Sequence, residues 1–192
     1  MQKFPVVLDL ETKHTFREID DPAKLGISVV GIYEYGKSEK KIFTEKELNS
    51  LFPILENASY IIGYNVRSFD LPVLQGYYPG NVASFSQFDI LDDIRDKIGR
   101  RIGLNDVIYA TFGEKKTGHG LMAIDFYREG KWEELKKYCL DDVMLTKKLF
   151  DFGLKNGEIY YLDETGKVTI KVDWKKYMEN SGKTDTPLTL PF

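Results

Sequence analysis

The chain has 192 residues, a formal net charge of −3 and a single cysteine, Cys139. This length suits one compact domain with its own core and an additional segment. The single cysteine excludes an intramolecular disulfide and a zinc site built from several cysteines, which favours a reducing compartment such as the cytoplasm. The charge argues against a protein that coats nucleic acid through a basic surface, and no apolar run is long enough to predict a signal peptide or a membrane span.

The first part of the chain predicts an antiparallel meander, because three segments rich in apolar and β-branched residues are separated by turn signals. The predicted strands are residues 6–11, 26–35 and 40–44, with a turn at 36–38. Thr44 followed by Glu47 matches a capping box, which predicts a helix that runs to about Asn57. Residues 60–64 then predict a short buried strand.

The middle of the chain predicts mostly helix. The predicted short helices are residues 71–75, 90–98, 105–112 and 121–127. A strand is predicted at 84–88, which places Asp89 where it can cap the helix that begins at Ile90. Apolar residues at helical spacing predict a long amphipathic helix over 132–152, closed by Gly153.

The C-terminal part predicts a β-hairpin, because residues 158–162 and 167–172 flank the turn sequence Asp163–Gly166. The expected divisions are a domain at 1–155, a hairpin extension at 156–174 and a polar, flexible tail at 175–192. The order of elements predicts an α/β fold with a mixed five-stranded sheet. Three antiparallel strands come first, parallel strands are added to them, and helices cover both faces.

Two acids occupy one face of the first strand. Alternation of side chains along a strand puts Asp9 and Glu11 on the same side, directly after the apolar residues 6–8. Two ionised carboxylates in such a setting resist desolvation and repel each other, and a bound cation removes both costs. Oxygen ligands of this kind favour hard ions such as Mg²⁺ or Mn²⁺.

The long helix carries a third acid that points inward. Steps of three and four residues form an otherwise apolar stripe that consists of Leu135, Tyr138, Asp142, Leu145 and Leu149. Its neighbour Asp141 falls on a charged face and is expected to be solvated. Tyr138 alone is typical of a core aromatic, but beside an inward acid it is a candidate for orienting an attacking water.

Asp70 is the fourth acid. It follows a short apolar strand and precedes Leu71-Pro72, a setting typical of a helix N-cap. Asn65 and Phe69, just before it, favour a role in a site as well.

Three motifs, in order along the chain, resemble those of the DnaQ-like 3′–5′ exonucleases of the RNase H-like superfamily. They are Asp9-Leu-Glu11, Asn65-Val-Arg-Ser-Phe-Asp70 and Tyr138-Cys-Leu-Asp-Asp142. The tyrosine four residues before the last aspartate resembles the DEDDy subgroup, and Lys137 stands where the sister subgroup has a histidine. The segment Leu104–Lys116 is similar to the stretch before the third motif in family B polymerase proofreading domains and in stand-alone or helicase-associated relatives.

The resemblance implies an RNase H-like fold and removal of nucleotides, one at a time, from the 3′ end of single-stranded nucleic acid, with DNA favoured over RNA. It implies two divalent ions, Mg²⁺ or Mn²⁺, and a water oriented by Tyr138. Asp9, Glu11 and Asp142 would hold the ion that carries this water, and Asp9 and Asp70 would serve the second ion. The residues that it implies near the terminal nucleotide are Leu10, Thr12, Asn65 and Phe69.

Two other functions fit parts of the sequence. A haloacid-dehalogenase-like phosphatase shares the Val6–Asp9 strand and the Asp141-Asp142 pair, but it needs an aspartate in place of Glu11 and a strand that ends at the pair. A non-catalytic nucleic-acid-binding or scaffold domain of the same fold would bind single strands without metal, by stacking on residues such as Tyr64. The resemblance is compatible with a polymerase or helicase partner in trans, which no motif identifies, and the sequence does not fix the oligomeric state.

Overall fold

The computed structural model describes residues 2–114 and 121–179. The strands within these residues are β1 Val6–Thr12, β2 Ile27–Glu34, β3 Glu39–Thr44, β4 Ile61–Gly63, β5 Gln87–Asp89, β6 Glu158–Asp163 and β7 Gly166–Lys171. The helices are α1 Leu48–Glu56, α2 Asp70–Leu74, α3 Ile90–Ile98, α4 Leu104–Phe112, α5 Leu121–Arg128, α6 Trp132–Asn156 and α7 Lys176–Glu179. None of the helices described is both long enough and apolar enough to cross a bilayer.

The five strands β1–β5 form one mixed sheet in the order β3-β2-β1-β4-β5. The β2 strand is antiparallel to both β1 and β3, whereas β4 is parallel to β1 and β5 is parallel to β4. The strands β6 and β7 form a separate antiparallel hairpin. The predicted fold class, a mixed five-stranded sheet with a C-terminal hairpin, is confirmed.

Helices cover both faces of the sheet, and β1 divides its side chains between them. Val6, Leu8 and Leu10 belong to an apolar cluster with α1 and α2. Val7, on the alternate face, belongs to a second cluster with α3, α4, α6 and the hairpin. Because side chains alternate along a strand, Asp9 and Glu11 follow Val7 and lie on the face that α6 covers.

Two predicted boundaries are wrong. The strand predicted at 84–88 is shorter and begins only at Gln87, as β5. A helical turn, Val82–Ser84, precedes it. Helix α6 does not stop at Gly153 but continues to Asn156, and Gly157 ends it with a φ of 68°. Gly153 is needed for packing instead, since a β-carbon there would lie 2.2 Å from the ring of Trp174.

The chain beyond the hairpin packs on the domain core. Trp174 is only 1% exposed and lies in the cluster that contains Val7. Tyr177, in α7, stacks on Phe88 with ring centroids 3.9 Å apart. The first residues of the predicted tail therefore contact the core through Tyr177. Residues 180–192 lie outside the described part of the chain, as do Lys115 and Lys116 of the 104–116 segment.

Candidate functional site

The first strand presents two carboxylates at the end where its pairing becomes irregular. Asp9 faces Gly31 and Glu11 faces Val29 across the β1–β2 ladder, whose register shifts between Glu11 and Thr12. The hydroxyl of Ser28 donates to the carbonyl oxygen of Glu11 at 2.9 Å. The irregularity ends regular pairing beside the acids, as β-bulges next to functional sites often do.

A glycine on β2 lets α6 approach the sheet closely. A β-carbon at Gly31 would lie 2.9 Å from a methyl group of Val143 and 3.0 Å from the sulfur of Cys139. The thiol of Cys139 donates to the carbonyl oxygen of Asp9 at 3.5 Å, so this turn of α6 rests directly on β1. Burial raises the pKa of this thiol, and the nearby carboxylates of the site raise it further.

The close packing brings three acids together. Carboxylate oxygens of Asp9, Glu11 and Asp142 all lie within 4.8 Å of one another, with Asp142 buried and the other two partly buried. Like charges at this separation are costly without a cation, whereas three hard oxygen donors are a ligand set typical of Mg²⁺ or Mn²⁺. The residues present therefore fit a divalent metal centre.

Asp70 lies beside this cluster rather than within it. Its side chain is 3% exposed, and its Oδ1 accepts the backbone N–H of Leu10, between the two acids of β1, at 3.0 Å. Burial raises the pKa of Asp70 to about 7, and the negative charge of Asp89 adds to the rise, while the N–H groups of Leu10 and of Asp70 itself oppose it. The carboxylate is thus one whose ionised form a nearby cation would stabilise.

The position of Asp70 in its helix differs from the prediction. Phe69 occupies the N-cap position, and Asp70 is the first residue of α2. The side-chain oxygens of a capping aspartate accept hydrogen bonds from the N–H groups of its own helix. Asp70 instead reaches across to β1, a tertiary contact that the local sequence pattern does not reveal.

Tyr138 lies one turn before Asp142 on the buried face of α6. The residue is buried, and its ring contacts that of Phe126 edge to face, with centroids 6.4 Å apart. Asp141, by contrast, is exposed and pairs with Lys137. The predicted inward direction of Asp142 and outward direction of Asp141 are confirmed by this burial.

The four predicted substrate contacts lie around the acids in different environments. The side chain of Leu10 belongs to the core cluster with α1 and α2, and the hydroxyl of Thr12 donates to the carbonyl oxygen of His14. Asn65 has a φ of 75°, in the left-handed region, and its Oδ1 accepts from Arg101. Phe69 is partly buried. The contact of these four residues with a nucleotide stays a prediction.

Two neighbours of these residues were not predicted from the sequence. Phe16 is half exposed and packs its ring edge to face on Phe69, with centroids 5.8 Å apart. Asp89, predicted only as a helix cap, also accepts the backbone N–H of Asn65. Phe16 lies in a polar segment without apolar periodicity, so no local pattern predicts this contact.

A sequence model described as the RNase_H superfamily matches residues 6–152. No curated protein matches the chain significantly.

Two of the matching solved structures show the same fold at low sequence identity. A family B DNA polymerase from Pyrobaculum calidifontis superposes with a TM-score of 0.61 at 18% identity, over 78% of this chain and 24% of the polymerase. Trypanosoma brucei RNase D gives a TM-score of 0.55 at 18% identity, over 78% of this chain and 57% of that chain. The zinc-bound form of the E. coli ExoI–ssDNA complex gives 0.46 at 16% identity.

The chain therefore spans about a quarter of the polymerase and just over half of the RNase D chain. The five-stranded mixed sheet of this chain, with its flanking helices, has the RNase H-like fold. Because the family model covers more than half of the chain, including β1 and most of α6, the assignment rests on the elements that carry the acids. The chain belongs to the RNase H superfamily.

Proposed function

We propose that this protein is a metal-dependent 3′–5′ exonuclease of the DEDDy type, which hydrolyses phosphodiester bonds at the 3′ end of single-stranded nucleic acid, with DNA favoured over RNA. One observation carries the proposal. Oxygen atoms of Asp9, Glu11 and Asp142 lie within 4.8 Å of one another, and Asp70 binds the strand that holds two of them. A set of acids drawn from β1, α2 and α6 is what two-metal phosphodiester hydrolysis needs.

The acids would bind the metal ions of such a reaction, and Tyr138 would orient the attacking water. Asp9, Glu11 and Asp142 would hold one divalent ion, and Asp9 and Asp70 would hold the other. Bound Mg²⁺ or Mn²⁺ would supply Lewis acidity toward the phosphate and lower the pKa of the attacking water. The hydroxyl of Tyr138, one turn from Asp142, would orient that water for in-line attack on phosphorus, and the bond to the 3′ oxygen of the preceding nucleotide would break.

The neighbours of the acids support the proposed class of substrate. Asn65 offers an amide and Phe69 an aromatic ring in the segment that leads into α2, and both suit a terminal nucleotide. The solved neighbours include a family B DNA polymerase and an RNase D, which supports a nucleic-acid substrate. A polymerase or helicase partner in trans and a cytoplasmic location stay predictions.

A labelled-strand assay tests the proposal. DNA and RNA single strands carrying a 5′ or a 3′ label are incubated with Mg²⁺, Mn²⁺ or a chelator. We expect the 5′-labelled strand to shorten stepwise and the 3′-labelled strand to release its label at once as a mononucleotide, with neither reaction in chelator. Binding without shortening would instead support a scaffold domain. Hydrolysis of simple phosphate monoesters alone would support a phosphatase, although Asp141 and Asp142 lie in mid-helix and not at a strand end.

The phenol of Tyr138 is testable by removing one atom. Tyr138→Phe keeps the buried ring and its contact with Phe126 but removes the hydroxyl. We expect the single-turnover hydrolysis rate to fall about tenfold or more, because positioned proton-transfer and water-orienting groups commonly contribute this much or more. Single-turnover kinetics with excess enzyme measures the hydrolysis rate, and a melting curve measures the thermal stability of the variant.

An unchanged rate for Tyr138→Phe would remove the tyrosine from the mechanism and leave the metal site untouched. The matched control is Tyr109→Phe, which removes a hydroxyl from an exposed tyrosine on α4. That variant should keep the wild-type rate.

A further inference from the structure

The carboxylate of Asp89 lies at the junction of two segments. The residue is 2% exposed and ends β5. Its Oδ1 accepts the backbone N–H of Leu91 at 3.0 Å and that of Asp92 at 3.4 Å, which caps helix α3. This part of its role is the helix cap that the sequence predicts, and it needs one carboxylate oxygen.

The same carboxylate also binds the loop that follows β4. Its Oδ1 accepts the N–H of Asn65 and its Oδ2 accepts the N–H of Arg67, both at 2.9 Å. The parallel pairing of β4 with β5, which aligns Gly63 with Asp89, places the loop within reach. Neither bond serves the α3 cap, so a residue selected only to cap the helix would not need the second oxygen.

The loop that Asp89 holds leads directly to the candidate site. Asn65 has a φ of 75°, an uncommon backbone conformation that needs support from its surroundings. The carbonyl oxygen of Asn65 accepts the N–H of Phe69 at 3.0 Å, and that of Val66 accepts the N–H of Leu71 at 3.0 Å. Asp70 lies between these two bonded residues, so the loop conformation sets the start of α2.

A continuous set of hydrogen bonds therefore joins Asp89 to the metal-binding strand. It passes from the Asp89 carboxylate to the loop amides, through the turn to Asp70, and from the Asp70 carboxylate to the N–H of Leu10. Catalytic groups must be held close to their productive geometry, and small displacements lower the rate strongly.

We propose that Asp89 is a positioning residue for hydrolysis, which fixes the Asn65–Phe69 loop and through it Asp70. This inference rests on the proposed exonuclease function. In this proposal Asp89 acts through these residues, because the hydrogen bonds that its carboxylate accepts come from the backbone of the loop and of α3.

Two substitutions separate the loop role from the cap role. Serine is a good N-cap but has one oxygen, which lies closer to the backbone than Oδ1, so Asp89→Ser keeps the α3 cap, removes the bond to Arg67 and weakens the bond to Asn65. Asp89→Asn keeps one acceptor oxygen and replaces the other, which can no longer accept the N–H of Arg67. We expect kcat to fall about tenfold or more in Asp89→Ser, with a smaller fall in Asp89→Asn and a smaller change in KM.

The matched control is Ile94→Val, which removes a methyl group from the fully buried face of α3. This variant loosens the helix packing but keeps all the bonds of Asp89. Its melting temperature should fall while its kcat stays at the wild-type value. A fall in kcat that follows thermal stability across all three variants would show a merely structural role and overturn the inference.

A second measurement does not depend on activity. Amide hydrogen exchange at Phe69 and Leu71 should be faster in Asp89→Ser than in wild type or Ile94→Val, because their acceptors belong to the released loop. If the wild type shortens strands and Asp89→Ser does so equally well, the inference fails and the exonuclease proposal stands. If the wild type shortens no strand, the exonuclease proposal fails. Unchanged amide exchange at Phe69 and Leu71 in Asp89→Ser would then also refute the claim that Asp89 fixes the loop.

Discussion

Asp142→Asn is expected to abolish the metal-dependent shortening of single strands, whereas Asp141→Asn should keep most of it. The two residues are adjacent in α6, and the substitution is nearly isosteric in both. Asp142 is 6% exposed and belongs to the three-acid cluster, while the side chain of Asp141 is 54% exposed and pairs with Lys137. Removing one carboxylate from the cluster should lower the rate by about a hundredfold or more, as losing a group aimed at developing charge commonly does.

The Asp141 variant is the control because it removes the same charge from the same helix at a solvated position. An exposed ion pair one turn apart contributes about 0.5 kcal/mol or less, so its loss should leave folding nearly intact. Asp9→Asn should reproduce the Asp142→Asn result, because the two carboxylates belong to the same cluster, one from β1 and the other from α6.

The measurement is the initial rate on a 5′-labelled strand at saturating Mg²⁺, with Mn²⁺ affinity measured on the same samples by calorimetry. Weakened ion binding in Asp9→Asn and Asp142→Asn, but not in Asp141→Asn, would tie the loss of activity to the metal centre. Equal activity in all three variants would refute the assignment of the acids.

The direction of these acids was predictable because periodicity alone determines it. Alternation along β1 put Asp9 and Glu11 on one face, and helical spacing put Asp142 rather than Asp141 inward. The convergence of the two faces was not predictable from the residues alone, since it depends on how α6 docks. That docking requires the missing β-carbon of Gly31, whose partners on α6 lie more than a hundred residues away in sequence.

The local rules failed where a tertiary contact used the same residue differently. Gly153 has the sequence signal of a helix end, but α6 continues through it, and the ring of Trp174 occupies the space that a side chain there would need. Asp70 has the signal of a cap, but its carboxylate binds β1. In both cases the partner comes from a distant segment, and no local pattern records it.

Trp174→Ala is expected to destabilise the protein more than any other single truncation proposed for it. The indole is 1% exposed, stacks on Phe150 with ring centroids 5.7 Å apart and contacts Phe88 edge to face at 5.6 Å. Its Nε1–H donates to Oδ2 of Asp93, on α3, at 2.8 Å. Truncating a buried tryptophan commonly lowers the free energy of unfolding by about 3–5 kcal/mol.

The matched control is Trp132→Ala, since Trp132 is the only other tryptophan in the sequence and is 41% exposed. It loses the same atoms at the start of α6, where its ring contacts Tyr127. We expect a loss of about 1 kcal/mol or less, in line with partial exposure. Urea unfolding followed by circular dichroism measures both variants without relying on tryptophan fluorescence.

The comparison decides whether the segment after the hairpin is an appendage or part of the folding unit. A large loss for Trp174→Ala, with a single cooperative transition, would mean that the core of the RNase H-like domain extends beyond residue 155 to at least this indole. The reason is that Trp174 fills the space beside Gly153 and joins α6 to α3, so its removal leaves a cavity against both helices. Equal small losses in the two variants would return the domain boundary to the position predicted from the sequence.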